Sequence, residues 1–112
     1  MTQLNFKQGE AKTVTFTVND GGSTVDLSGC TVFFGVKSVK TNVAYIFSHD
    51  DGDFDKTNED TGIVTLFITA ANTNQTPGTY YGELRITFPG SPAPIDKSQD
   101  INVVIEQAVI PV

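Results

Sequence analysis

The chain has 112 residues, a formal charge of −6 and a single cysteine, which suffices for one domain and leaves nothing for a second core. No basic surface is available to displace counterions from nucleic-acid phosphates, Cys30 has no partner for an internal disulfide, and the longest apolar run, Val43 to Phe47, is far too short to span a membrane. The N-terminal stretch from Met1 to Lys7 lacks the apolar segment of a secretion signal, so a chain made in the cytoplasm is expected.

Thr, Val and Ile together number 35 against 10 for Ala and Leu, a ratio that favours pleated strands over helices. A weak run from Gln3 to Phe6 comes first. Strict alternation over Thr13 to Val18 follows, with Val14, Phe16 and Val18 on one face and three threonines on the other. Asn19-Asp20-Gly21-Gly22 and Asp26-Leu27-Ser28-Gly29 are turn chemistry, with Gly29 in a structural role at the end of the second. Cys30 then reads as a small buried hydrophobe. Thr31 to Lys37 sets Val32, Phe34 and Val36 against Thr31, Phe33, Gly35 and Lys37, and Val43 to Ser48 is a second weak run. His49 is expected to be solvated at the edge of a polar loop. Ser48-His49-Asp50 cannot act as a triad, because neighbours in an extended chain point to opposite faces.

Residues 50 to 60 carry six acids and one base, Lys56, for a net −5, while the rest of the chain nets −1. Asp51, Asp53 and Asp55 have the alternating spacing of the first ligands of a calcium loop, which makes Ca²⁺ the one cofactor the sequence admits. The pattern then breaks: Lys56 stands where the sharp-turn glycine belongs, and Gly62 occupies the twelfth position in place of a bidentate Glu. A mobile, solvated loop is the expected reading, and no other cofactor is expected.

Ile63 to Thr69 alternates Val64, Leu66 and Ile68 against Ile63, Thr65, Phe67 and Thr69, and a short helical turn fits between Thr69 and Gln75. Pro77-Gly78-Thr79-Tyr80 opens a long strand reaching Phe88. Gly78 forms the corner and Tyr80 points inward, its hydroxyl bonded to backbone near the preceding turn, as in the tyrosine corner of immunoglobulin-like folds. After the turn Pro89-Gly90-Ser91-Pro92, Ile101 to Glu106 forms the last strand. About seven short strands separated by turns predict an all-β, antiparallel, two-sheet immunoglobulin-like sandwich over 1–112, with a partly open barrel as the alternative.

Aromatic residues on the less buried faces are Phe33, Tyr45, Phe54, Phe67 and Tyr81. If Phe34 and Leu66 face the core, Phe33 and Phe67 lie outward and form an apolar contact patch on one sheet face; the opposite phase buries them. The tail 107–112 is apolar through Val109, Ile110 and Val112, and is expected either to dock on a neighbour or to lead into further sequence. No nucleophile, acid–base pair, phosphate loop or zinc ligand set stands out, so no enzyme is expected.

The order of these pieces resembles a known family. The Thr-rich strand Thr13 to Val18 precedes Val25-Asp26-Leu27-Ser28-Gly29 and the strand Thr31 to Lys37. After the acidic insertion come Thr61 to Leu66, the short turn Ala70 to Thr76, and Pro77-Gly78-Thr79-Tyr80. This is similar to the immunoglobulin-like N-terminal domain of baseplate upper proteins in tailed phages of Gram-positive bacteria, and to related domains of phage tail and fibre proteins. The resemblance covers roughly residues 10 to 106. It implies a non-enzymatic virion module, assembled from the host bacterial cytoplasm, that docks to a baseplate or tail core and carries host-recognition parts. Its partners would be other virion proteins or copies of itself, with no nucleic acid and no membrane insertion. The chain departs from the family in stopping at Val112, where fibre-linking sequence normally follows. A bacterial surface or adhesion module binding protein or glycan, with calcium in the acidic loop, is the alternative.

Overall fold

The alternating runs become strands wherever one face has a core to pack on. The structure, a computed structural model, describes residues 2–98 and 100–110. Its strands are β1 (Thr2–Lys7), β2 (Lys12–Thr17), β3 (Asn19–Asp20), β4 (Ser23–Thr24), β5 (Thr31–Lys37), β6 (Phe47–His49), β7 (Phe54–Asp55), β8 (Ile63–Ile68), β9 (Gly78–Thr87), β10 (Ile95–Lys97) and β11 (Ile101–Glu106). One short helix, α1 (Ala70–Thr73), follows β8. The larger sheet has the order β1-β11-β9-β5-β6, with β10 also paired to β9; the smaller has the order β2-β8-β7, and β3 and β4 form a small hairpin. In immunoglobulin lettering, β2, β8 and β7 take the places of strands B, E and D, and β11, β9, β5 and β6 those of G, F, C and C′. The fold is an all-β immunoglobulin-like sandwich.

Two details differ from the alternation pattern. β1 runs parallel to β11, with Thr2 opposite Ile101 and Lys7 opposite Glu106, because strands at opposite ends of the chain can pair in either sense without a connecting turn. The run from Val43 to Ser48 becomes a strand only from Phe47. Val43 is 94 % exposed, since its face has no core beneath it.

The core lies between the sheets and centres on Phe34, which is fully buried. Its ring sits 5.3 Å from that of Phe16 and 6.3 Å from that of Phe47. Gly82 on β9 makes this possible: a Cβ there would stand 3.2 Å from the Phe34 ring. In antibody domains a tryptophan on strand C packs against an inter-sheet disulfide whose F-strand cysteine lies two residues after the corner tyrosine. Here the corresponding places hold Phe34 and Gly82, so an aromatic ring against bare backbone fills the centre. The corner residue, Tyr80, is buried and its hydroxyl donates to the Thr76 carbonyl.

Cys30 is buried just before β5, and burial pushes its thiol pKa above the ordinary value, with a smaller opposing pull from Lys56. Thiolate is the reactive form, so native protein is expected to resist a thiol-specific reagent and to label rapidly in urea. Rapid stoichiometric labelling of the native state, followed by ultraviolet absorbance of the released chromophore, would contradict this packing.

Candidate interaction surface

The outward residues of β5 and β9 make a continuous face on the larger sheet. Cross-strand register places Phe33 opposite Arg85, Gly35 opposite Glu83 and Lys37 opposite Tyr81. β10 adds Lys97 on the far side of Arg85. Tyr45, from the segment before β6, lies across Gly35. A Cβ on Gly35 would stand 2.3 Å from the Tyr45 ring, so the ring needs bare backbone beneath it. Tyr45 then meets Phe33 edge-on at 5.5 Å between centroids. The Arg85 guanidinium lies 4.9 Å from the Phe33 ring centroid, and the Lys37 ammonium 5.0 Å from that of Tyr45. The result is a ladder of two rings capped by two cations, a geometry that holds positive charge at an aromatic surface. Beside it Lys40 pairs with Asp100. Lys37, Lys40, Tyr45, Tyr81, Lys97 and Asp100 border a shallow depression of about 230 Å³.

Phe33 and Phe67 do not share a patch. Phe67 is exposed on β8, opposite Thr13, on the outer side of the smaller sheet. Both residues point outward, but from opposite sides of the sandwich, because Phe34 and Leu66 both take the core. Alternation along each strand puts Lys37 on the face of Phe33, and Arg85 on the face of Tyr81, without bringing the two pairs together. That juxtaposition depends on the pairing of β5 with β9.

The acidic segment corrects the expectation of a solvated loop. Asp51–Asp53 and Glu59–Thr61 form single 3₁₀ turns, and Phe54 between them is buried at 6.3 Å from the Phe16 ring. Asp51 accepts from the Val32 amide at 2.9 Å and from the Lys56 ammonium at 3.0 Å. Lys56 also donates to the Cys30 carbonyl at 2.7 Å and approaches the Glu59 carboxylate at 3.6 Å. One lysine thus ties the segment to the start of β5. His49 is mostly buried, its Nδ1 3.0 Å from Asp53 and its Nε2 2.7 Å from the Asn72 side-chain oxygen. That oxygen also accepts from the Thr69 amide within the capping box of α1, so His49 links the acidic segment to the helix instead of facing solvent.

The three aspartates with calcium spacing each turn to a different partner. Asp51 takes Lys56 and Val32, Asp53 takes His49, and Asp55 takes the Thr57 hydroxyl at 2.6 Å and amide at 2.9 Å. The Thr57 bonds hold Asp55 below the ordinary carboxylate range. Among the described residues, no three acids, histidines or cysteines are grouped to hold a metal, because the 3₁₀ turn and β7 splay these side chains apart.

Of the structural glycines, Gly29 turns the chain at φ +78° before Cys30, and Gly78 opens β9 opposite Ile105. In the tail, Val109 and Ile110 are exposed, and Val112 lies outside the described residues. The Ala108 amide donates to the Gln8 side chain at 3.2 Å, which sets the start of the tail beside the turn after β1. No helix among the described residues is long and apolar enough to cross a membrane.

No family model and no curated protein matches the chain. Among solved structures, the N-terminal domain of ORF48 of phage TP901-1 superposes with a TM-score of 0.65 at 9 % identity, covering 92 % of this chain and 83 % of that one. Two further structures align less well, each with a TM-score of 0.35. They are AggA, the major subunit of type I aggregative adherence fimbriae of Escherichia coli (12 % identity, 94 % of this chain, 90 % of that one), and the V domain of amphioxus IgVJ-C2 (9 % identity, 92 % and 99 %). The first likeness establishes a shared fold with a phage domain over nearly the whole chain.

Proposed function

We propose that this chain is a non-enzymatic structural module of a tailed-phage particle, a baseplate, tail or fibre component made in the host bacterial cytoplasm. It works through protein–protein contacts that help assemble the particle and hold its host-recognition parts. The observation that carries this reading is the match of the whole sandwich to the N-terminal domain of the phage protein. The aromatic and charged outer face of β5 and β9 suits docking better than catalysis, since its rings are covered by cations and its depression is shallow. Mass spectrometry of purified particles, combined with chemical cross-linking, tests the proposal. The chain should be present in stoichiometric amount and cross-linked to other particle proteins; its absence from particles would overturn the reading.

A further inference from the structure

The smaller sheet ends on a full-length strand whose outer edge is open. In immunoglobulin-like sandwiches a first strand, A, pairs with strand B. Here β1 pairs with β11 in the larger sheet, and among the described residues β2 has no strand on the side away from β8. The Val18 amide donates to the Gly62 carbonyl at 2.8 Å. Residues of an antiparallel pair alternate between bonded and non-bonded positions. In the β2–β8 register Phe16 and Val14 therefore bond to β8 as well, while Thr13, Thr15 and Thr17 turn their N–H and C=O groups away from it. Among the described residues no hydrogen bond reaches those outward groups, and all three threonines are exposed. The other sheet edges are guarded. β6, β7 and β10 have three residues or fewer. On β1 the Lys7 amide donates to the Glu10 carboxylate at 3.0 Å, and the Asn5 carbonyl accepts from the Lys12 ammonium at 2.7 Å. Short strands and charged side chains are common protections of an edge; β2, from Thr13 to Thr17, has neither. Behind it lies a groove of about 540 Å³, lined in part by Phe16, Val18, Leu84, Ile86 and Ile101, which leaves apolar surface open between the sheets.

We infer that β2 pairs antiparallel with β2 of a second copy, joining two smaller sheets into one across a two-fold axis at Thr15. The residues of the edge select this occupant, because the strand is complementary to itself. Only the register centred on Thr15 pairs the open residues with one another, Thr13 against Thr17 and Thr15 against Thr15. Each open N–H then meets an open C=O. The same register sets threonine against threonine on the outer face, a favourable cross-strand pair, and Val14 against Phe16 on the core side. Lys12, the one charged residue of β2, falls opposite Val18, so no like charges meet. The contact is isologous, each copy offering the same strand, and it closes at two copies. One strand edge is a small contact, so association is weak and appears at high chain concentration. The purified chain alone must show it, so the contact stands or falls apart from the particle reading.

Sedimentation equilibrium combined with amide hydrogen exchange tests it. As the chain approaches about 1 mM, the average mass should rise from 12.0 kDa towards twice that value and no further. Over the same range, exchange of the Thr13, Thr15 and Thr17 amides should slow. Thr15→Lys and Thr15→Glu each place like charges directly opposite one another at the axis, and each should weaken the dissociation constant about tenfold. An equimolar mixture of the two should pair at least as tightly as the wild type, since opposite charges then face each other. Thr15 lies on the exposed outer face, so both variants should keep the wild-type melting temperature in dilute solution. A wild-type chain that keeps single-chain mass at about 1 mM would overturn the inference and leave the edge to a strand from another protein. So would undiminished association in both variants, growth beyond two copies, or a mixture no tighter than either variant while both keep wild-type melting temperatures.

Discussion

Phe34→Ala should destabilise the fold by about 4 kcal/mol and lower the melting temperature by roughly 15 °C. The ring is fully buried and meets Phe16 on the opposite sheet and Phe47 on the neighbouring strand. Truncation loses this apolar burial and also leaves a cavity, and the two costs add. Collapse into that cavity is hindered from below, because Gly82 presents backbone with no side chain to swing inward. Phe16 and Phe47 are each fixed by their own strands, so neither can refill the space without breaking its register. Domains of this size have a total stability of about 5–15 kcal/mol, so the loss is a large fraction of what holds the fold. Urea unfolding should show a lower midpoint with little change in slope. Phe34→Leu should recover part of the loss, whereas Phe67→Ala, on an exposed ring, should shift stability by less than about 0.5 kcal/mol. A Phe34→Ala effect no larger than that of Phe67→Ala would mean that the packing around Gly82 is wrong.

The contrast between Phe34 and Phe67 also marks what could be read from residues alone. Alternation places Phe34 with Val32 and Val36, and Leu66 with Val64 and Ile68, so the inward face of each strand was legible before any pairing was known. The turn residues located the breaks, and the Pro77-Gly78-Thr79-Tyr80 corner located the start of β9. Alternation within a strand says nothing about which sheet the strand joins. For that reason Phe33 and Phe67 looked like candidates for one patch and lie on two sides. The cation–ring ladder was hidden for the same reason, since Arg85 is far from Phe33 in sequence and reaches it only through the β5–β9 register. Composition misled at the acidic segment. Six acids in eleven residues suggest solvation, but Phe54 gives the segment a hydrophobic anchor and Lys56 gives it a counter-charge. The same lysine that spoils the calcium pattern is the residue that organises the segment.

Lys56→Met is accordingly expected to cost about 2 kcal/mol although it adds apolar surface. Methionine can follow the lysine stem, so the loss isolates the ammonium. Without it the Cys30 carbonyl loses its donor, and Asp51 and Glu59 face each other with no positive charge between them. The Glu59 oxygen nearest Lys56 is buried and accepts no hydrogen bond among the described residues, so the ammonium charge is what compensates it. The pH dependence provides a second signature. Burial works against the Lys56 charge, but the hydrogen bond and charge of Asp51, with Glu59 behind, hold its pKa above the ordinary 10.5. A raised pKa in the folded state stabilises the fold fully below the unfolded value, and that contribution is lost as pH rises through the folded value. The gap in unfolding free energy between wild type and Lys56→Met should therefore stay open from neutral pH to about pH 10 and narrow above it. Adding Asp51→Asn to Lys56→Met should recover about 1 kcal/mol, because the amide oxygen can still accept from the Val32 amide while the uncompensated charge is removed. Asp51→Asn in the wild-type background should instead destabilise, since it removes the partner of a lysine already held in place. Equal effects of Asp51→Asn in the two backgrounds would mean that Lys56 and Asp51 are not coupled, and that the acidic segment is held by Phe54 alone.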